Sequence, residues 1–281
     1  MFDAASASDR ALERADGAAR LRFARRGSNA FVKERYASSP ARILRPAAYD
    51  GPPEAVLANT SGGLAGGDRL SVVVSVESGA EGVVSGQAAE RVYRAIDRPA
   101  EIRTILSVAA GGALQWLPQE TILFDGGQLE RRIDVKLGEG ARLLMTEALV
   151  FGREAFAERF DHGCITDIWR IDGPGGPLWR ERLRIDGGGR ALASAAGING
   201  ARGLATIICA DPEPEYLLEA ARDALKSSEM NAGATLVRGL VVVRLLAREA
   251  GAMKAELGRI VGLLRAAAFG GPALPPRVWM C

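Results

Sequence analysis

In "LERRIDVKL" (129–137) apolar and charged residues alternate: Leu129, Ile133, Val135 and Leu137 share one face with Arg131, while Glu130, Arg132, Asp134 and Lys136 point the other way. An extended strand with one buried face satisfies that period, and a helix does not. "LSVVVSV" (70–76) repeats the pattern with Leu70, Val72, Val74 and Val76, and similar short runs occupy 101–108, 141–151, 178–185, 204–210 and 235–247. Glycine-rich turn formers such as "AGG", "DGG", "GEG", "DGPGGP" and "DGGG" separate them. Strands at such regular spacing predict a layered, mainly β architecture.

Two late segments switch to helical spacing. In 211–228 the stripe is Leu217, Ala221, Ala224 and Leu225, with Asp211 and prolines at the entry; in 249–269 it is Met253, Leu257, Ile260, Val261, Leu264 and Ala268. Gly258 and Gly262 each cost the second helix about 1 kcal/mol relative to alanine, so a close neighbour is expected there. Pro272, Pro275 and Pro276 stop it. Residues 1–18 lack a period and are expected to be poorly ordered, leaving 19–281 as a single domain with two α-helices near its C-terminus.

Lys and Arg total 36 against 34 Asp and Glu, a formal charge of +2, which argues against nucleic acid as partner. There is no apolar stretch of membrane-span length, and "MFDAASASDRALERADG" lacks a basic region followed by an apolar core, so a cytoplasmic location is expected. Three widely spaced cysteines, Cys164, Cys209 and Cys281, suit neither a disulfide framework nor a zinc knuckle. One histidine, His162, cannot build a histidine-rich metal site; with Cys164 two residues on, it forms the nearest approach to a ligand pair.

The densest glycine text is "NTSGGLAGGDRL" (59–70), with Gly62, Gly63, Gly66 and Gly67 closing on Asp68. A phosphate loop needs Lys and Ser or Thr after its last glycine, where this chain has Asp68 and Arg69. The spacing also misses the dinucleotide fingerprint, and a strand follows instead of a helix. A structural turn held by Asp68 is one reading. A hydrolase or transferase using the loop, Asp68 and His162 is the other, although no nucleophile elbow, H-E-x-x-H or C-x-x-C accompanies them.

From the loop onward, "SGGLAGGDRL", "GQAAERVYRA" (86–95), "LQWLPQETILFDGGQLERRIDVKL" (114–137), "EALVFGREAFAERF" (147–160), "LWRERLRI" and "LPPRVW" (274–279), in this order, resemble the urease accessory protein UreD (UreH) family. Two departures stand out: Ala157-Glu158 replaces a Gly-Glu pair, and Ser85 and Gly86 replace threonines. The resemblance implies a two-layered β structure of helical winding and a maturation factor that is not an enzyme. Such a factor binds apo-urease and recruits UreF and, through it, the GTPase UreG. It also implies that nickel passes transiently through an internal tunnel, with no tightly bound cofactor.

A conduit must release its cargo, which favours carboxylates, carbonyls and water over imidazole and thiolate. The acids set in apolar or glycine-rich text are Asp68, Glu120, Asp125, Glu147 and Glu158, the expected nickel path. Structural ion pairs are also open to this set: Glu147 with Arg153, and Glu90 with Arg91 or Arg94. If the family's UreF site lies on the late helices, Leu257, Ile260, Val261, Leu264, Val278 and Trp279 are the expected partner contacts.

Overall fold

The computed structural model describes residues 13–46, 51–187 and 189–280. Its strands, in chain order, are β1 (Asp16–Arg26), β2 (Asn29–Ser38), β3 (Ala41–Leu44), β4 (Glu54–Asn59), β5 (Arg69–Val76), β6 (Glu81–Gly86), β7 (Glu90–Val92), β8 (Ala100–Val108), β9 (Ala113–Leu117), β10 (Thr121–Leu123), β11 (Gln128–Leu137), β12 (Arg142–Phe151), β13 (Cys164–Gly173), β14 (Gly176–Asp186), β15 (Gly203–Ala210), β16 (Asn231–Val237) and β17 (Leu240–Ala247). A short helix α1 (Gly189–Ala193) precedes the two late helices, α2 (Pro214–Leu225) and α3 (Ala250–Phe269). The first strand starts inside the segment expected to be poorly ordered, because Asp16–Ala18 pair with Arg69–Ser71 of β5; residues 1–12 lie outside the described residues.

The chain winds between two sheets. The first has seven strands in the order β14-β13-β11-β8-β5-β1-β2, and the second runs β16-β17-β15-β12-β9-β6-β4-β3, with β10 and β7 attached beyond β12. Successive turns of the winding lie in parallel register, Arg69 beside Glu101, Glu101 beside Glu130, and Glu130 beside Thr166. On the opposite wall β4, β6, β9 and β12 are also parallel. Antiparallel partners flank the parallel stack: β1 with β2, β13 with β14, β3 with β4, and β12, β15, β17 and β16 in succession. This is a mainly β fold of helical winding, as the alternating text and the resemblance led one to expect.

The run 235–247, expected as one strand, is instead β16 and β17. Val237 pairs with Leu240 across a two-residue turn whose Arg238 and Gly239 both have positive φ, 50° and 80°. Those angles match the twist of the flanking strands in a tight hairpin, so "RG" was the turn signal within an otherwise apolar run.

The inward faces of the two sheets form one core, which includes Phe23, Val74, Leu106, Leu114, Ile133 and Met145. The outer face of the second sheet forms another with α2 and α3, where Leu144, Ile207 and Val243 meet Leu217, Ile260 and Leu264. The close neighbour expected at Gly262 is the chain itself, since a Cβ there would stand 2.7 Å from the Ala273 carbonyl oxygen. No helix of the described residues is long and apolar enough to cross a membrane.

Candidate functional site

Inward side chains do not fill the winding completely. A cavity of 220 Å³ lies between the sheets, with Asn59, Glu90, Thr104, Trp116, Arg131 and Glu147 in its wall. Gln87 and Ala88, both exposed, belong to its rim, while Arg131 and Glu147 are buried at its inner end. Gln119 braces the rim by donating to the carbonyls of Gly86 and Gln87, and it accepts from Lys254 of α3 at 2.7 Å.

The inner end is a buried cluster of opposite charges. Arg131 occupies an inward position of β11 at 4% exposure. Its Nη1 donates to Glu147 Oε2 at 2.5 Å, and its Nε and Nη2 donate to the two oxygens of Asp167 at 3.0 and 2.6 Å. Trp116 Nε1 donates to the other Glu147 oxygen at 2.9 Å. Parallel register sets Arg131 beside Asp167, while Glu147 reaches it from β12 in the facing sheet. Burial alone would lower the Arg131 pKa, but the two carboxylates raise it and hold the guanidinium charged. For Glu147, burial pushes the carboxyl up, against the pull of Arg131 and the Trp116 hydrogen bond. Two acids share one cation, so an excess negative charge sits in low dielectric if all three groups ionise.

A second void of about 10 Å³ lies beyond this cluster, walled by Arg131, Glu147, Asp167, Glu181 and Thr206 among others. Arg131 and Glu147 therefore border both spaces.

Glu90, on β7, is the carboxylate nearest in sequence to the rim. Asn59 Nδ2 donates to its Oε1 at 3.0 Å. Burial pushes the Glu90 pKa from 4.5 up to about 7, further than that hydrogen bond and the Arg91 charge bring it down. Folded Glu90 thus keeps its proton to higher pH than the unfolded chain does, and its contribution, fully present below pH 4.5, is lost as pH rises through about 7. Glu90→Gln is expected to stabilise the protein by about 2 kcal/mol at about pH 8, after a discount for partial exposure, and to leave it unchanged near pH 4. Urea midpoints of parent and variant at the two pH values check this; a gain that does not depend on pH would contradict it.

Of the five acids expected along a nickel path, only Glu147 lines the interior cavity. Asp68 clamps the glycine loop, its two oxygens each accepting an amide hydrogen bond at 2.8 Å, from Ala15 and Ala65. The loop is a structural turn: a Cβ at Gly63 (φ 152°) would lie 2.6 Å from the Tyr93 ring, and one at Gly66 would lie 2.6 Å from the Arg98 carbonyl. Gly62 (φ 77°) and Gly67 (φ 86°) complete it with left-handed backbone. Glu120 stands 3.9 Å from Lys254. Asp125 and Glu158 border a separate surface depression with Arg94 and Arg153.

Partial burial raises the Asp125 pKa, but the His162 amide and ring and the Asp161 amide outweigh it, leaving the net value low. The Arg153 guanidinium pulls the Glu158 carboxyl down, binding it at 2.9 and 2.7 Å. Arg153 is thus taken by Glu158 and not Glu147, and Arg94 pairs with Asp125 and not Glu90.

The pairing of Asp68 with His162 is not formed. Asp68 is 7% exposed and faces backbone amides, whereas the His162 ring is exposed and partnered by Asp125. Cys164 opens β13 half-buried, its thiol pushed up by burial. Among the described residues no group of three or more His, Cys, Asp or Glu is placed to hold a metal ion. The expected partner contacts are also consumed within the chain: Leu257, Ile260, Val261, Leu264 and Trp279 are buried against the second sheet and α2, with Val278 packed beside them. Trp279 Nε1 donates to the Leu117 carbonyl at 3.2 Å, so the tail straps the core.

A family model described as the UreD urease accessory protein matches residues 15–280, from the start of the described winding to its tail. The chain belongs to the UreD family. It is 38% identical over 270 residues to the urease accessory protein UreD of Magnetococcus marinus, covering 94% of this chain and 93% of that one. The UreD of Cereibacter sphaeroides is 40% identical over 272 residues, covering 95% and 96%. UreD 1 of Brucella abortus is 39% identical over 273 residues, with 95% of each chain covered. These relatives carry the name of accessory proteins and not of enzymes. They support a role for this UreD chain in urease maturation.

Sequence reasoning missed Arg131, Asp167, Trp116 and Glu90 as members of the site. Arg131 alone carried a signal, a cation on the apolar face of an alternating strand.

Proposed function

We propose that this chain is a non-enzymatic scaffold that binds apo-urease in the cytoplasm, associates with UreF and through it with UreG, and lets nickel(II) cross its interior on the way to the urease active site. The observation that supports this reading is the cavity between the sheets, with Glu90 in its wall and Glu147 at its inner end. Carboxylate, amide and hydroxyl oxygens exchange nickel readily, whereas imidazole and thiolate would hold it. Among the described residues neither histidine nor cysteine lines the cavity.

The test is nickel-dependent activation of apo-urease co-expressed with this chain, UreF and UreG. Full activation and full nickel content without this chain would remove the reading, as would turnover of a small molecule by the purified chain.

A further inference from the structure

The two outer faces of the winding differ. That of the second sheet is covered by α2 and α3, whereas the first sheet exposes Glu101, Arg103, Glu130, Lys136, Arg170 and Arg182. Register aligns part of this face into a row: Arg103 beside Arg132, Arg132 beside Ile168, and Ile168 beside Arg182. Arg170, two residues along β13, shares the face of Ile168.

Many cations here are already paired: Arg69 with Glu101, Arg132 with Asp134, Arg180 with Asp172, and Arg184 with Asp186. The side chains of Arg103, Arg170 and Arg182 make no ion pair or hydrogen bond among the described residues. Register opposes Arg103 to Arg132, and Arg170 to Arg180 on one side and Asp134 on the other; like charges opposed across strands work against folding, so arginines left without an ion pair around a half-buried isoleucine suit a partner outside the chain. Arginine around an apolar centre is the composition of an interface hot spot.

We propose that this face, centred on Ile168 and framed by Arg103, Arg170 and Arg182, docks a folded protein whose contacting surface is acidic. A continuous polyphosphate or anionic lipid surface fits less well, because Glu101, Glu130 and Asp134 interrupt the basic field on the same face. A second copy docked through the same face would oppose arginine to arginine. The proposal deepens the maturation reading and rests on it for the identity of the partner, apo-urease.

The test compares the parent chain with the triple variant Arg103→Glu, Arg170→Glu, Arg182→Glu for binding to apo-urease over a salt series, with UreF binding and circular dichroism as fold controls. The parent is expected to bind more weakly as salt rises, and the variant to bind roughly tenfold or more weakly at low salt, with UreF binding unchanged. Equal binding of parent and variant to apo-urease would overturn the docking face and leave the maturation reading standing. Failure of the parent itself to bind would remove both. Loss in the variant only of binding to phosphatidylserine vesicles or duplex RNA, with urease binding intact, would also overturn it.

Discussion

Arg131→Met is expected to lower the unfolding free energy by about 3–5 kcal/mol, among the largest effects of any single substitution in this chain. The reason is not the lost attraction by itself. Glu147 and Asp167 are 7% and 4% exposed, and the guanidinium is their shared cation, donating at 2.5 Å to one and at 3.0 and 2.6 Å to the other. Its removal leaves two acids in low dielectric with, among the described residues, only the Trp116 hydrogen bond to Glu147 in partial compensation. Glu147 is already pushed up by burial against the pull of Arg131, so in the variant that push acts with less opposition. Folded Glu147 then binds its proton more readily than the unfolded chain, and the deficit shrinks as pH falls. Urea denaturation of parent and variant across pH measures both effects. A loss below about 1 kcal/mol would mean that the cluster contributes little to the fold.

The apolar triple variant Arg131→Met, Glu147→Leu, Asp167→Leu is expected to recover most of that loss, to within about 2 kcal/mol of the parent, because no buried charge is left without a partner. If nickel takes the proposed route, activation of apo-urease by this variant falls on the order of tenfold or more, since the carboxylate facing both interior spaces is gone. Stability and activation thus move apart, which a purely structural cluster would not produce. A triple variant that folds and supports full nickel incorporation would exclude Glu147 from the nickel route. One that fails to fold would show that the cluster is needed for more than charge balance.

Much of the fold was legible because alternation reports burial directly. Val72, Val74 and Val76 of β5 and Ile133 and Val135 of β11 are all buried, as their period requires. The helical stripes of α2 and α3 were equally plain, and each meets the second sheet. Part of the α3 stripe and the tail, expected to meet a partner, pack within the chain. An apolar stripe has the same period whether it covers the chain's own sheet or another protein, and Leu257, Ile260, Val261, Leu264 and Trp279 cover their own.

The acids were less legible. A carboxylate in glycine-rich text meets the same local composition whether it clamps a turn or faces a cavity. Asp68 took two amides, Asp125 took those of Asp161 and His162, Glu158 took Arg153, and Glu147 alone among the five reached the interior.

What the sequence determined by itself is which side chains of β5 and β11 face inward, and Arg131 was among them, because a two-residue period is a local property of extended backbone. What only the tertiary structure decided is what those side chains meet. Asp167 lies 36 residues beyond Arg131 and Glu147 lies 16 beyond it, brought together by parallel register in one sheet and by stacking on the other. Register follows from the lengths and turns of whole coils of the winding, and no short stretch of sequence carries that information.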